Sequence, residues 1–467
     1  MAEGALQFSL AELEAVLPSA LLFLTGLLVL IVDLFVPDET GAGSHSPKSH
    51  LVLIGVTGGL AALASIWLGD TLVGGVNSGE IFAGALRDDL FADFAVVLVV
   101  VATLLATLAS GGYLAAQGEN RGEFLALLYF GAGAMVLLAQ ANNLISIFVA
   151  IETLSIAVYV LAGFFRKWRE SSEGALKYFI MGAFSSGFLL MGLVFIYGAT
   201  ESISLEALQY ADDPVLLNVG LLLVLVGFCF KIGAVPFHSW VPDVYQGAPA
   251  MAAGWMAVAV KACSFAVLLR VVMATGGNNS SLSQLVAAIA IVTMILGNYA
   301  ALNQTNIKRL LAYSGIAHTG TMLIPVALAF MDSSPPAAGA STLFYLAAYL
   351  LMTLGAFTVV AVVSNGERDR EELSAFNGLA RRYPLLALAF TIFLISLAGI
   401  PLTAGFMGKL YVFKFAIEGG FLYLAVIGIL TTLVSVYYYI RPIQAMYFQD
   451  EEAPITLVDS SWGLHFA

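Results

Sequence analysis

Long apolar runs separated by short polar joints fill the chain from about residue 16 to residue 447. Runs of at least about 17 apolar residues predict spanning helices. They cover 16–36, 51–69, 90–113, 123–141, 143–165, 174–197, 215–235, 250–273, 283–302, 310–330, 340–363, 384–400 and 421–447. Two shorter stretches continue broken elements, 237–248 after the seventh run and 402–417 after the twelfth. The pattern predicts an all-α polytopic membrane protein with 13 transmembrane helices. Only Asn142 and Asn143 divide the fourth run from the fifth. The opening MAEGALQFSLAELEAVLP is acidic and lacks the basic flank of a cleaved signal peptide, so the first run reads as a retained spanning helix.

Composition agrees with that pattern. Of 467 residues, 60% are hydrophobic and 11% charged, whereas a soluble domain carries roughly 25% charged residues. No single buried core absorbs such an excess, so most side chains face lipid or another helix. Abundant glycine, 45 residues, suits close helix approach in lipid. The net charge of -12 comes from acidic loops and ends. Neither a nucleotide fingerprint nor a basic nucleic-acid patch occurs. Cys229 and Cys263 lie in apolar runs with no C-x-x-C, haem or iron–sulfur pattern, so no metal or redox cofactor is expected in this chain.

An outside N-terminus puts Lys48, Arg121, Arg166, Lys167, Arg169, Lys308, Arg309, Arg368, Arg370, Arg381, Arg382 and Arg441 on the cytoplasmic side and leaves Arg87 and Arg270 opposite. That asymmetry satisfies the positive-inside rule and predicts a multi-pass protein of the cell inner membrane with its C-terminus inside.

Lys177, Lys231, Lys261 and Lys409 fall inside apolar runs, with Lys414 nearby, and Glu152 lies in IFVAIETLSIAVYVL. Each lysine at a helix centre costs roughly 2.5–3.5 kcal/mol, on the order of 10–14 kcal/mol for four. Ion pairs that merely lock helices would account for Glu152 and one partner, because one acid cannot neutralise four lysines. A polar path for protons accounts for the rest. Burial and a nearby carboxylate act on an amine in opposite senses, so a lysine balanced between them can load and release a proton.

Two of these lysines stand at predicted helix breaks. KIGAVPFHSW sets Gly233 and Pro236 between Lys231 and His238, and GIPLTAGFMGKL sets Gly399, Pro401, Gly405 and Gly408 before Lys409. A proline removes an amide donor and crowds the preceding turn, and a broken membrane helix persists only where protein or a polar cavity satisfies the freed groups. His238 and His318 complete the candidate set, since imidazole titrates near neutrality through two distinct nitrogens. Each also reads as a helix-packing hydrogen bonder. Tyr299 and Tyr313 read as packing or interface residues.

Runs 143–165 to 250–273 form one unit and 310–330 to 421–447 another, each with its broken helix third. Adding 123–141 and 283–302 makes two five-helix repeats of inverted topology, the architecture of transporters with discontinuous helices. The implied organisation is N-terminal helices 1–120, a first repeat 121–275, a second repeat 276–447 and a tail 448–467. Glu152, Lys177, Lys231 and Lys261 fall in the first repeat, His318 and Lys409 in the second, with Lys261 best placed to join them.

VPFHSWVPDVYQGAP at 235–249, NQTNIKRLLAYSGIAHTG at 303–320 and PLTAGFMGKLYVF at 401–413 resemble signature stretches of one family. It is the antiporter-like subunit N family of proton-pumping NADH–quinone oxidoreductase, respiratory complex I, which has counterparts in mitochondria and chloroplasts. The resemblance spans about residues 120–447. It implies that Glu152 is the family's fifth-helix glutamate and Lys177 its lysine partner on the sixth. Lys231 would be the central lysine of the broken seventh helix, with His238 just beyond it. Lys261 would connect the halves, His318 would relay, and Lys409 would face the outward exit. The resemblance further implies no cofactor in this chain, with FMN, iron–sulfur clusters and quinone in other subunits. The expected partners are small quinone-side membrane subunits, larger antiporter-like ones and lipid, but no nucleic acid.

The mechanism so implied makes Lys231 the loading site, steered as Lys177 pairs with or leaves Glu152, with water completing the gaps toward Lys261 and His318. Many bacterial members carry a fourteenth helix. Either this member lacks it or the sequence stops short of it. Two other functions fit the same residues: a subunit of a cation/proton antiporter and an inert membrane scaffold.

Overall fold

A computed structural model describes residues 9–36, 48–72, 79–119, 122–277, 279–331, 335–364 and 371–450. Arg121, Arg368, Arg370 and the tail from 451 onward lie outside the described residues, as does the question of a fourteenth helix.

The helices are α1 (Leu10–Phe35), α2 (Ser49–Leu72), α3 (Leu90–Ala116), α4 (Gly122–Gln140), α5 (Leu144–Ala162) and α6 (Arg169–Thr200). Then come α7 (Pro214–Ile232), α8 (Trp240–Gly247), α9 (Ala250–Trp255), α10 (Lys261–Ala274), α11 (Ser280–Ala301) and α12 (Ile307–Ala329). The series ends with α13 (Pro335–Ser364), the short α14 (Leu379–Arg382), α15 (Pro384–Ala398), α16 (Ala404–Glu418) and α17 (Leu422–Phe448). A π-turn, Met256–Val260, joins α9 to α10, so 250–274 acts as one long element. Among the described residues, 12 helices are long and apolar enough to cross a membrane. The α15–α16 pair supplies the broken remaining element. The chain is an all-α polytopic membrane protein.

Both predicted breaks are present. α7 stops at Ile232 because Gly233 turns left-handed with φ 74°, and α15 stops at Ala398 because Gly399 does so with φ 77°. Each broken helix is the fourth element of a run of five, α4 to α10 and α11 to α17. Asn142 and Asn143 suffice to separate α4 from α5 because the Asn143 side chain caps α5, accepting the Ser146 amide at 2.7 Å.

One element was not foreseen. β1 (Gly79–Ile81) pairs antiparallel with β2 (Leu86–Asp88), Gly79 facing Asp88. Asp89, which follows β2 and caps α3, receives a forked pair of hydrogen bonds from Arg270 at 2.9 and 3.0 Å. Arg87 lies 3.3 Å from the same carboxylate, so the two basic residues assigned to one face do meet. Burial pushes the Asp89 carboxyl up, but the hydrogen bond and charge of Arg270 outweigh it and hold the group below its ordinary value.

The 250–274 element and α12 are each 94% buried along their most apolar stretch, against 33% for α6 and α17. The former carry Lys261 and His318, and the latter present Leu190, Val194, Leu430 and Leu433 outward.

Candidate functional site

The first break is held open by side chains from the other half of the molecule. The Val235 amide donates to Thr293 Oγ1 on α11 at 3.1 Å, and Thr319 Oγ1 on α12 donates to the Ile232 carbonyl at 2.9 Å. Trp240 Nε1 donates to the Phe230 carbonyl at 3.0 Å. With its backbone groups satisfied, the break costs little. It leaves Lys231 at the end of α7, 4% exposed.

Lys231 Nζ donates to Ser155 Oγ at 2.5 Å and lies 5.5 Å from the centre of the Tyr159 ring. Ser155 is three residues beyond Glu152, on the same face of α5. Glu152 accepts a hydrogen bond from Ser186 on α6. A carboxylate, a hydroxyl and an amine thus share one corner beside the break.

Lys261 follows the π-turn, a helix irregularity frequent at functional sites. Its Nζ donates to the Gly315 carbonyl at 2.6 Å and lies 3.5 Å from Tyr349 Oη. His318, one turn along α12 from Ser314, is engaged at both nitrogens: Nδ1 with Tyr345 Oη at 2.6 Å and Nε2 with Tyr439 Oη at 3.2 Å. Tyr439 Oη is also hydrogen-bonded to Ser314 Oγ. At the second break Lys409 Nζ reaches back to the Leu397 and Ala398 carbonyls, both at 3.2 Å, and so caps the negative end of α15. Lys409 and His318 line one small cavity with Asn298, Thr321, Thr432 and Ser435, with room for about one water molecule.

Two predicted residues stand apart. Lys177 does not pair with Glu152. It binds Glu173 at 2.8 Å and Asp243 at 2.7 Å, and its side chain is 44% exposed. The reason is helical rise: Lys177 precedes Ser186, the partner of Glu152, by nine residues, roughly 13 Å along α6. His238 lies half-buried beyond the break, its Nδ1 buried without a hydrogen bond of ordinary geometry.

Sequence reasoning passed over several residues. Lys308, assigned to a cytoplasmic joint, is wholly buried and bonded to Glu371 at 2.7 Å and to the Ala248 carbonyl at 2.8 Å. Asp243 bridges Lys177 and Arg309, the latter also at 2.7 Å. Tyr345, Tyr349 and Tyr439 surround His318. Their signal was present, because a phenol deep in an apolar helix requires a polar partner. Among the described residues, no group of three His, Cys, Asp or Glu side chains is placed to hold a metal, and both cysteines are free.

Residues 141–435 match the family described as NADH:quinone oxidoreductase/Mrp antiporter, transmembrane. The NADH-quinone oxidoreductase subunit N of Trichlorobacter lovleyi is 40% identical over 95% of this chain and 89% of its own length. The chain belongs to the subunit N family of NADH–quinone oxidoreductase. Another subunit N, from Rhizobium meliloti, is 42% identical over 84% of the chain and 81% of its own length. A chain of Thermus thermophilus respiratory complex I superposes with a TM-score of 0.79 at 32% identity, covering 96% of this chain and 93% of that one. The Mrp complex of a Dietzia species shares the subunit N fold, with a TM-score of 0.81 at 20% identity over 97% of this chain and 82% of that one.

Proposed function

We propose that this subunit N family member is a membrane-arm subunit that moves protons across the cell inner membrane. Oxidation of NADH and reduction of quinone in other subunits would drive the movement, and the chain itself would carry no redox group. One contrast carries the reading. Lys308 is a buried lysine with a structural task, and it has a carboxylate 2.7 Å away. Lys231, Lys261 and Lys409 are at most 6% exposed, yet among the described residues none is in an ion pair, and each is held by neutral oxygen acceptors. Amines kept deep in protein without a counter-ion are suited to exchanging protons rather than to locking helices.

In this reading Lys231 is the loading site. Glu152 sets its charge preference across the shared Ser155–Ser186 corner, and Lys261 takes the proton onward to His318 and Lys409. Lys177, held at Asp243, stands on the uptake side, and an outside N-terminus places Lys409 toward release. The site spans both repeats, 121–275 and 276–447. Neighbouring membrane subunits cover the faces around α5 and α6, where Glu152 and Lys177 are only partly enclosed.

The test is Lys231→Met in the assembled complex, in sealed membrane vesicles. NADH-driven acidification should fall by on the order of a hundredfold, the usual scale for losing a positioned proton carrier. Full proton stoichiometry in that variant overturns the reading. It would favour a scaffold. Sodium-driven proton movement without NADH would instead favour a cation/proton antiporter.

A further inference from the structure

Between Lys261 on α10 and Lys409 on α16 stands His318, with a tyrosine hydroxyl on each ring nitrogen. One hydroxyl, Tyr439 Oη, continues to Ser314 Oγ. Ser314 immediately precedes Gly315, whose carbonyl holds Lys261 Nζ at 2.6 Å. The other tyrosine, Tyr345, rests the base of its ring on Gly408, where an added Cβ would lie 2.8 Å from Tyr345 Cδ2, and its partner His318 shares a small cavity with Lys409. Gly408 adjoins Lys409. One end of this chain of polar atoms therefore lies toward Lys261 and the other toward Lys409. Every member is buried: Tyr345 0%, Tyr439 1%, Ser314 1% and His318 4% exposed.

We propose that Tyr439 and Tyr345 are proton-carrying residues that join Lys261 to Lys409 through His318, an inference that rests on the proton-translocation reading above. A neutral imidazole has one donor and one acceptor nitrogen, so the chain Ser314–Tyr439–His318–Tyr345 has a direction. At the start Ser314 donates to Tyr439, Tyr439 to Nε2, and Nδ1–H to Tyr345. A proton leaves the Lys261 ammonium through a water molecule and binds Ser314 Oγ. The Ser314 proton passes to Tyr439, the Tyr439 proton to Nε2, the Nδ1 proton to Tyr345, and the Tyr345 proton, through a second water molecule, to the neutral Lys409 amine. Each O–H or N–H bond that breaks is matched by one that forms. Lys261 ends neutral, Lys409 ends charged, and the chain between them stays neutral. An ordinary tyrosine ionises near pH 10, and a concerted shift of this kind forms no tyrosinate. Hydroxyl rotation and a change of imidazole tautomer restore the starting direction.

The experiment uses Tyr439→Phe and Tyr345→Phe in the assembled complex, reading NADH-driven proton movement and its rate in deuterated against ordinary water. Either exchange keeps the ring and its packing. Each should lower proton movement by on the order of a hundredfold. Substituting 3-fluorotyrosine at position 439, which preserves shape but makes the phenol more acidic, should shift the pH profile of pumping and alter the isotope effect. That arm also serves if a phenylalanine variant fails to assemble. Wild-type pumping in both phenylalanine variants, or an unmoved pH profile and isotope effect in the fluorinated one, overturns the proposal. Lys231→Met in the same vesicles separates the two readings. If that variant is silent while the tyrosine variants pump, only the chain through His318 falls. If it pumps normally, the translocation reading falls first.

Discussion

At Gly315 the absence of a side chain decides where Lys261 points. A Cβ there would lie 3.2 Å from Lys261 Nζ and 3.0 Å from Tyr349 Oη, closer than either neighbour tolerates without moving. Gly315→Ala should therefore leave the helix formed, since alanine suits helices better than glycine, while displacing the amine from its carbonyl. We expect normal assembly and about tenfold slower proton movement in vesicles, a loss of roughly 1.4 kcal/mol in the transfer step. Individual residues were unevenly legible. Glu152, Lys231, Lys261 and Lys409 announced themselves because lipid makes a charge expensive. The tyrosines around His318 did not, since a phenol in an apolar run has many uses and only the fold brings Tyr439 beside a residue 121 positions away. Lys177 was legible in one respect only. Its charge was visible, but its distance from Glu152 along α6 depends on which face and which level the helices share.

Among the elements, the two breaks were the most readable, because Gly233 and Gly399 can turn left-handed where other residues strain. The hydroxyls of Thr293 and Thr319 that steady the first break come from α11 and α12, and no local pattern could assign them. The β1–β2 hairpin escaped notice because three-residue strands are too short to show alternation. Its neighbour Asp89 makes a measurable claim. The Asp89 carboxyl is held below its ordinary value by Arg270, against burial. The pair's contribution to stability is complete above about pH 5 and fades below about pH 4, as the folded protein takes up a proton at Asp89. Arg270→Gln should lower stability by about 2 kcal/mol at neutral pH. It should also flatten the acid-side loss. Thermal unfolding of the detergent-solubilised complex at several pH values checks both. An unchanged acid slope would refute the assignment.

At the scale of the whole molecule, ion pairs among the described residues tie the start of α12 to α8 and to Glu371, while Lys231, Lys261 and Lys409 are in none. Lys308 and Arg309 open α12. They bind Glu371 on one side, and Asp243 and the Ala248 carbonyl on the other. Glu371→Gln should strand the fully buried Lys308 charge and cost about 3–5 kcal/mol of stability, visible as a lower unfolding temperature while Lys231 chemistry is untouched in whatever complex assembles. The chain's hydropathy made the long helices and both breaks readable. It could not reveal which charges clasp the halves and which ride alone. Lys409 joins these scales. Its side-chain nitrogen holds the final carbonyls of α15, so a change in its charge would also be a mechanical event. A neutral amine would grip Leu397 and Ala398 less firmly, and the break at 399–403 would slacken. Amide exchange at Gly399, Ile400, Leu402 and Thr403 should then quicken in step with discharge, turning the half-helix into a reporter of its own occupancy.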